Sequence, residues 1–393
     1  MIADPALLII ELRNQMTNDE RVSMATKYLL VASTEACSGK SATILGIADR
    51  LQAKGIKIAY IQPVVTDNEI ENLSRWRKQS DFRQHQQTTV GDFQLMAEAL
   101  SLTSTQIGTP LLVLDEARTI DRLTGVDRED YIKLLQANVQ LPGDLVILEG
   151  GANLLEGSLF GLDTAQVAES IDADVLLVNR YHPISSIDTL LAAQQQLGKR
   201  LLGVIINDVS HDCIESVQTT LVPYLERVGI PTFGIVHRNG LLRSVTVKQL
   251  IGQLNAEVLC RPDRLDLMVE SLSIGAMNVN SALEYFRRGH NMAVVTGGDR
   301  ADIQLAALET STQCLILTGH LAPQPFIVSR AEDLEIPILS VDLDTLTTVE
   351  IIDAAFGRVR LQEPIKIDCA RKLFGECCEI DRLISALGIG DGE

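Results

Sequence analysis

One stretch decides the fold of this chain: Ser33-Thr34-Glu35-Ala36-Cys37-Ser38-Gly39-Lys40-Ser41. It follows a continuous apolar run, Tyr28 to Ala32, and opens a stretch from Lys40 to Lys54 whose apolar spacing suits a helix. A buried strand that passes through a short polar turn into a helix is the repeating unit of α/β proteins. The sequence therefore predicts a parallel sheet that is covered by helices.

Other short apolar runs predict the remaining strands of this sheet. They are continuous rather than alternating, as expected when helices cover both faces of a sheet. The predicted strands are Ile56 to Gln62, Leu145 to Leu148, Val175 to Val178, Gly203 to Ile206 and Thr232 to Val236.

A second, smaller α/β unit is predicted after Gly240. Its predicted strands are Ser271 to Ile274, Met292 to Thr296, Cys314 to Leu317 and Pro337 to Val341. Its predicted helices are Val247 to Asn255, Asn280 to Arg288, Ala301 to Leu308, Val328 to Leu334 and Thr347 to Phe356. We accordingly expect four segments: a disordered N-terminal extension over 1–25, a first domain over 26–240, a second over 241–362 and a C-terminal tail over 363–393.

The composition excludes several classes of protein. The chain has 34 basic and 52 acidic residues, a formal net charge of −18. Such an acidic chain is not expected to bind nucleic acid or an anionic membrane surface, because both depend on clustered basic side chains. The length of 393 residues and the hydrophobic fraction of 46% indicate a globular protein. At about 150 residues per domain, it has two to three domains.

Neither a membrane span nor a disulfide framework is expected. The apolar runs fall well short of the ~18 residues that a span needs. The first 23 residues lack the small-residue cleavage site of a signal peptide. Because Met24 directly precedes the first clear strand, we expect these residues to be an extended start or a loosely ordered tail, with the first domain beginning near Met24. The seven cysteines follow neither the spacing of a disulfide framework nor that of a zinc site. These features predict a cytoplasmic protein.

Gly39-Lys40-Ser41 carries the chemistry of a phosphate-binding loop. Backbone N–H groups at the helix N-terminus attract phosphate, the lysine reaches the outer phosphates, and the hydroxyl binds Mg²⁺. Thr34 stands where the usual motif has its first glycine. The alternative is that Lys40 is an ordinary surface lysine. Phosphate binding is favoured because strand, loop and helix follow one another in the required order.

Glu149-Gly150-Gly151-Ala152-Asn153 is the candidate metal element, because it follows a predicted buried strand. Phosphate-loop proteins hold Mg²⁺ with a carboxylate at the end of such a strand. The alternative role for Glu149 is to cap the turn that follows. Asp115, after Leu111 to Leu114, is a weaker candidate because no glycine pair follows it.

These residues resemble dethiobiotin synthetase and the related module at the N-terminus of long phosphotransacetylases. The loop of the synthetases has the form G-T-D-T-x-V-G-K-T, and their E-G-A-G-G element is similar to Glu149 to Asn153. The resemblance implies an α/β P-loop fold that binds ATP and Mg²⁺, with the metal on Ser41 and Glu149. It implies that the nucleotide contacts Thr34, Glu35, Ser38, Gly39, Lys40, Ser41 and, through its adenine, Asn207.

One departure from the synthetases concerns their reaction. They have K-P-V after the second strand, and that lysine helps to bind the carboxylating substrate; here the sequence is Gln62-Pro63-Val64. Because a glutamine cannot supply the charge, dethiobiotin synthesis is not expected.

A second site is predicted at Thr296-Gly297-Gly298-Asp299-Arg300. This stretch and two more, Thr318-Gly319-His320 and Asp342 to Thr345, are polar ends of predicted parallel strands, and ligands bind at that edge of a sheet. Glycine N–H groups and Arg300 would suit an anionic small molecule. The alternative is structural: Asp299 caps its helix and Arg300 pairs with Asp299 or Asp302.

The region from Ser244 to Arg360 resembles the DRTGG domain, which carries a V-T-G-G-D-R-type strand end. With the first module, it is similar to the stand-alone phosphotransacetylase-like proteins, which have no transferase domain. The resemblance implies a regulatory or sensory nucleotide-binding protein that forms homo-oligomers. Weak ATPase activity and an ATP-dependent ligase of the dethiobiotin or cobyrinate a,c-diamide type remain alternatives. Phosphate acetyltransferase activity is not expected, because 28 residues remain from Lys366 onward.

Several other polar residues are interpreted as structural. His182 and His237 are expected to lie in loops, and the adjacent Cys377 and Cys378 to pack or to remain free thiols. One basic cluster is expected on a solvated helix face: Arg75, Arg77, Lys78, Arg83 and His85.

Overall fold

The computed structural model describes residues 26–66, 96–319, 321–356, 361 and 363–389. The predicted N-terminal extension over 1–25 and His320 lie outside these residues. So does the predicted basic cluster between Arg75 and His85.

The strands confirm the predicted alternation of strand and helix. They are β1 (Lys27–Ser33), β2 (Ile58–Ile61), β3 (Val64–Thr66), β4 (Leu112–Leu114), β5 (Leu145–Glu149), β6 (Asp174–Arg180), β7 (Leu201–Val209), β8 (Thr232–His237), β9 (Val245–Thr246), β10 (Glu257–Cys260), β11 (Met268–Val269), β12 (Ser271–Ile274), β13 (Met292–Gly297), β14 (Thr312–Thr318) and β15 (Ile338–Val341).

The helices lie between these strands and after the last one. They are α1 (Lys40–Ala53), α2 (Glu116–Leu123), α3 (Tyr131–Asn138), α4 (Thr164–Ser170), α5 (Ser186–Leu197), α6 (Ile214–Ser216), α7 (Val222–Arg227), α8 (Gly240–Arg243), α9 (Val247–Leu254), α10 (Val279–Phe286), α11 (Ala301–Leu308), α12 (Pro325–Asp333), α13 (Thr345–Phe356), α14 (Pro364–Cys377) and α15 (Ile380–Leu387). A π-helical turn, Val217–Leu221, joins α6 to α7.

The first sheet has six parallel strands in the order β2-β5-β1-β6-β7-β8. The residues of β2 and β5 are all buried, as are the last five of β1. An apolar core lies on each side of the sheet, and α1 belongs to one of them. This two-sided burial explains the continuous apolar runs in the sequence. The strand order also brings the end of β5 beside the end of β1, where the predicted phosphate loop begins.

The second sheet has the order β10-β15-β14-β13-β12. Strands β12 to β15 are parallel, whereas β10 is antiparallel to β15. Two apolar cores cover its faces. The predicted second α/β unit is therefore present, with an antiparallel edge strand, β10, that was not predicted from the sequence.

The C-terminal segment differs from the predicted tail. Residues 364–377 and 380–387 form α14 and α15, and their apolar side chains join the core on the α1 side of the first sheet. A β-carbon on Gly46 of α1 would collide with Phe374, so the two helices pack in close contact. The segment that follows the second unit thus returns to the first.

Within the described ranges, no helix combines the length and the apolar character that crossing a bilayer requires.

Candidate functional site

The phosphate loop connects the end of β1 to α1. Lys40 begins the helix, and its Nζ donates to Ser33 Oγ at 3.0 Å, across the turn. Ser38 is almost fully buried, and its Oγ donates to the Glu35 carbonyl at 2.5 Å. The loop is therefore a closed turn in which the ammonium group of the half-buried Lys40 bonds back across the loop.

Gly39 is the residue whose type this turn requires. Its φ of +98° lies in the left-handed region that favours glycine. A β-carbon there would also collide with Asn207 Nδ2. That same amide nitrogen donates to the Ser38 carbonyl at 2.7 Å. Asn207, predicted to contact adenine, thus holds the loop in place.

Asn179, near the end of β6, and His182, in the loop that follows, hold the first half of the turn. Asn179 Nδ2 donates to Thr34 Oγ1 at 3.2 Å, and His182 Nε2 lies 2.8 Å from Glu35 Oε1. Asn179 is buried, and its Oδ1 has no hydrogen-bond partner. Asn179 was not predicted as a site residue, and His182 was predicted only to lie in a loop, because strand neighbours are not visible in a local motif.

Glu149 ends β5 next to the phosphate loop. It pairs in register with Val31 of β1 and is only 6% exposed. Ser41 Oγ donates to Glu149 Oε1 at 2.7 Å. Tyr60 OH donates to Glu149 Oε2 at the same distance, 2.7 Å. A hydroxyl and a carboxylate side by side are hard oxygen donors of the kind that Mg²⁺ prefers when it also binds a phosphate.

Asp115, the weaker metal candidate, is in a different position. It precedes α2, and its carboxylate accepts from the Arg118 N–H at 2.7 Å as a helix cap. Strand β4, which leads to it, pairs with β3 outside the six-stranded sheet. Gln62 follows β2 and is buried, at the position where the synthetases have lysine.

A charged cluster lies at the same edge of the first sheet. Asp208 faces three guanidinium groups, those of Arg238 at 2.9 Å, Arg243 at 3.3 Å and Arg180 at 3.5 Å. Burial lowers the pKa of Arg243, an effect that Asp208 opposes. The cluster joins the ends of β6, β7 and β8 to α8, where the second unit begins. No sequence motif indicated it.

The predicted second site has most of its polar groups engaged within the protein. The Gly298 N–H donates to the Thr318 carbonyl at 3.0 Å. Arg300 contacts Asp302 and donates to the Met277 carbonyl at 2.9 Å. The hydrogen bonds that Arg300 donates to the Asp302 carboxylate raise the pKa of Arg300. The ion pair with Asp302 matches one of the structural alternatives and leaves Arg300 less available to an anion.

The three polar strand ends meet as predicted, since β13, β14 and β15 are parallel neighbours. Thr318 Oγ1 lies 3.0 Å from Thr345 Oγ1, and Thr296 Oγ1 donates to the Gly275 carbonyl at 3.0 Å. Asp344 caps α13, and the hydrogen bond from the Thr347 hydroxyl lowers its pKa. Asp299 precedes α11, beside Gly297.

The cysteines remain free thiols. Burial raises the pKa of Cys378 to about 12, which disfavours the reactive thiolate. Cys377 Sγ lies 3.8 Å from His237 Nδ1, and burial raises the pKa of this thiol as well. Over the described ranges, no three His, Cys, Asp or Glu side chains form a group that could hold a metal ion.

Comparison with known families identifies both units. Residues 27–259, more than half of the chain, match the family model described as the AAA domain. Residues 249–355 match the DRTGG domain. The resemblance derived from the sequence is thereby confirmed.

Similar curated proteins are named phosphate acetyltransferase. The protein from Synechocystis is 28% identical over 388 residues, which cover 92% of this chain and 52% of the relative. The protein from Nitratidesulfovibrio vulgaris is 25% identical, over 91% of this chain and 51% of the relative. This chain therefore spans about half the length of these relatives.

Among solved structures, one similar chain holds the CBS and DRTGG domains of the regulatory region of Clostridium perfringens pyrophosphatase, complexed with diadenosine tetraphosphate. It is 18% identical, with a TM-score of 0.26, over 44% of this chain and 74% of that one. A likeness this distant gives no information about the ligands of this chain.

Proposed function

This chain belongs to the AAA domain family and carries a DRTGG domain, and from this we propose that it is a regulatory protein that binds ATP with Mg²⁺. Lys40, Ser41 and Glu149 at one sheet edge are the observation that carries the proposal. In this proposal the nucleotide phosphates lie on the loop from Thr34 to Ser41, the adenine lies near Asn207, and the DRTGG domain senses a second ligand. The protein is proposed to act in the cytoplasm as a homo-oligomer.

The donor set supports Mg²⁺ at Ser41 and Glu149. The two side chains are 2.7 Å apart, one neutral and one ionisable, and they adjoin the loop that would hold the phosphates. When bound, the metal would neutralise part of the phosphate charge. Such local compensation matters here because the whole chain carries a formal charge of −18.

Lys40 is the residue on which phosphate binding depends most. Its ammonium group already bonds across the turn to Ser33 Oγ, on the loop that would hold the phosphates. We expect the wild type to bind ATP in the presence of Mg²⁺ and Lys40→Ala to lose at least about tenfold in affinity, since hydrogen bonds to charged groups contribute about 1.5–3 kcal/mol. Titration calorimetry with ATP, ADP and GTP measures this.

Lys133→Ala is the matched control, because Lys133 is 81% exposed and contacts only Asp130 among the described ion pairs. It should bind like the wild type. If neither wild type nor control binds any of the three nucleotides, the proposal fails.

Phosphate acetyl transfer is a second candidate, favoured by the names of the relatives. Turnover of acetyl-CoA with inorganic phosphate by the purified chain would assign it. An ATP-dependent ligase of the dethiobiotin type is less favoured, since Gln62 supplies no positive charge for a carboxylating substrate.

A further inference from the structure

Tyr60 is buried in the first sheet and contacts the candidate metal carboxylate. It lies on β2 in register with Ile147 of β5, and its side chain is 0% exposed. Side chains two residues apart on a strand point to the same face. Tyr60, Ile147 and Glu149 therefore share one face of the sheet, and the tyrosine hydroxyl reaches Glu149 Oε2 at 2.7 Å.

The two oxygens of Glu149 have different partners. Oε1 accepts from Ser41, whose oxygen is also a candidate metal ligand, whereas Oε2 accepts from Tyr60. The tyrosine hydroxyl donates a hydrogen bond without bringing a positive charge to the carboxylate. A neutral donor orients the carboxylate without cancelling the negative charge that attracts a cation. A lysine or arginine in its place would cancel that charge.

Packing alone does not require the hydroxyl. The ring of Tyr60 lies in the apolar core with residues such as Val31 and Leu29, and a phenylalanine ring would fill the same space. The hydroxyl in this core therefore points to a role in holding Glu149.

We propose that Tyr60 is a positioning residue that holds Glu149 in the orientation needed to bind Mg²⁺ with the nucleotide. The inference rests on the proposed function. Groups that hydrogen-bond to a metal ligand orient it, and their loss costs about 10- to 100-fold in metal affinity.

Tyr60→Phe tests this inference by removing one oxygen. ATP affinity is measured by calorimetry at graded MgCl₂ concentrations and in EDTA. We expect the Mg²⁺ concentration for half-maximal enhancement of ATP binding to rise about 10- to 100-fold. ATP affinity in EDTA should stay within about twofold of wild type, because the phosphate loop itself is unchanged.

Tyr131→Phe is the matched control. Tyr131 is also buried, and its OH donates to a carboxylate, Asp127 Oδ2, at 2.9 Å, but it lies on α3 away from the phosphate loop. It should leave the Mg²⁺ dependence unchanged.

The outcomes separate this inference from the proposed function. If the wild type shows no Mg²⁺-dependent ATP binding, the proposed function fails. If the wild type shows it and Tyr60→Phe has the same Mg²⁺ dependence, or loses affinity equally in EDTA, Tyr60 is not a positioning residue. Should Tyr60→Phe not fold, Glu149→Gln, which keeps Tyr60, must raise the Mg²⁺ concentration for half-maximal enhancement of ATP binding at least as much, or the inference is overturned.

Discussion

At the scale of single residues, the strictest requirement falls on Gly39. Its φ of +98° is unfavourable for any residue with a β-carbon, and that carbon would also strike Asn207. We predict that Gly39→Ala destabilises the protein by about 1–3 kcal/mol and weakens ATP binding, because the loop must change its conformation. Denaturant unfolding and calorimetry measure the two effects.

Gly55→Ala is the control that shows the effect of backbone strain alone, away from the phosphate loop. Gly55 also has a positive φ, +84°, but a β-carbon there would meet no atom within 4 Å. It should cost about 1–2 kcal/mol in stability and leave ATP affinity unchanged. Equal loss of affinity in both variants would contradict the specific role of Gly39.

At the scale of helices and strands, local patterns predicted the two sheets well. Buried strands such as β5 and β14 need only a short apolar run, and α11 was predicted with the bounds that the structure shows. Residues that meet through strand pairing were not predictable in this way. Tyr60 and Glu149 are 89 positions apart and contact only because β2 lies beside β5.

The helix α14 was missed for a related reason. Its apolar face is short, and the surface that covers it belongs to α1, more than 300 residues earlier in the chain. Gly46 and Gly375 allow α1 and α14 to approach closely. The sequence of the C-terminal segment alone does not show that α1 covers it, so the segment was predicted as a tail.

The packing of α14 predicts an effect on the phosphate loop. Phe374 is 1% exposed, and its ring lies 3.8 Å from where a β-carbon of Gly39 would stand. Phe374→Ala should lower stability by about 3–5 kcal/mol by leaving a cavity. It should also weaken ATP binding, because the loop loses its support. Thermal unfolding with and without MgATP measures both.

Phe326→Ala is the control for this prediction, since Phe326 on α12 is 50% exposed. A change within about 0.5 kcal/mol is expected there. If Phe374→Ala is destabilised and yet binds ATP as tightly as wild type, α14 does not support the loop.

At the scale of the whole molecule, the chain leaves the first unit, builds the second and returns. The Asp208 cluster and α8 lie where the chain enters the second unit, and α14 is the helix that packs again on the first unit. Because Phe374 of α14 lies close to Gly39, the segment that follows the second unit connects that unit to the proposed nucleotide site. That connection is consistent with the proposed regulatory role.

Lys366 on α14 is the polar group that links this helix to the chain just after α8, where the second unit begins. Its side chain is fully buried, and Nζ contacts the Ser244 carbonyl at 2.7 Å and Glu363 Oε2 at 3.0 Å. Lys366→Met keeps the apolar part of the side chain but leaves the Ser244 carbonyl and the Glu363 carboxylate without their positively charged partner. We predict a loss of about 3 kcal/mol in the free energy of unfolding at pH 7. Lys372→Met, an exposed site on the same helix, should change it by less than about 0.5 kcal/mol.

The same lysine predicts how this loss changes with pH. Burial lowers the pKa of Lys366 below the ordinary value of 10.5, so between the two values the unfolded chain binds more protons than the folded one. Wild-type stability then rises with pH through that window, because deprotonation relieves the burial of charge, and Lys366→Met lacks this rise. The difference between wild type and variant should therefore widen as the pH approaches 10.5, as urea unfolding at a series of pH values would show. A difference that narrows would mean that the attraction of Glu363 outweighs burial and that the ion pair, not the desolvated lysine, dominates the junction.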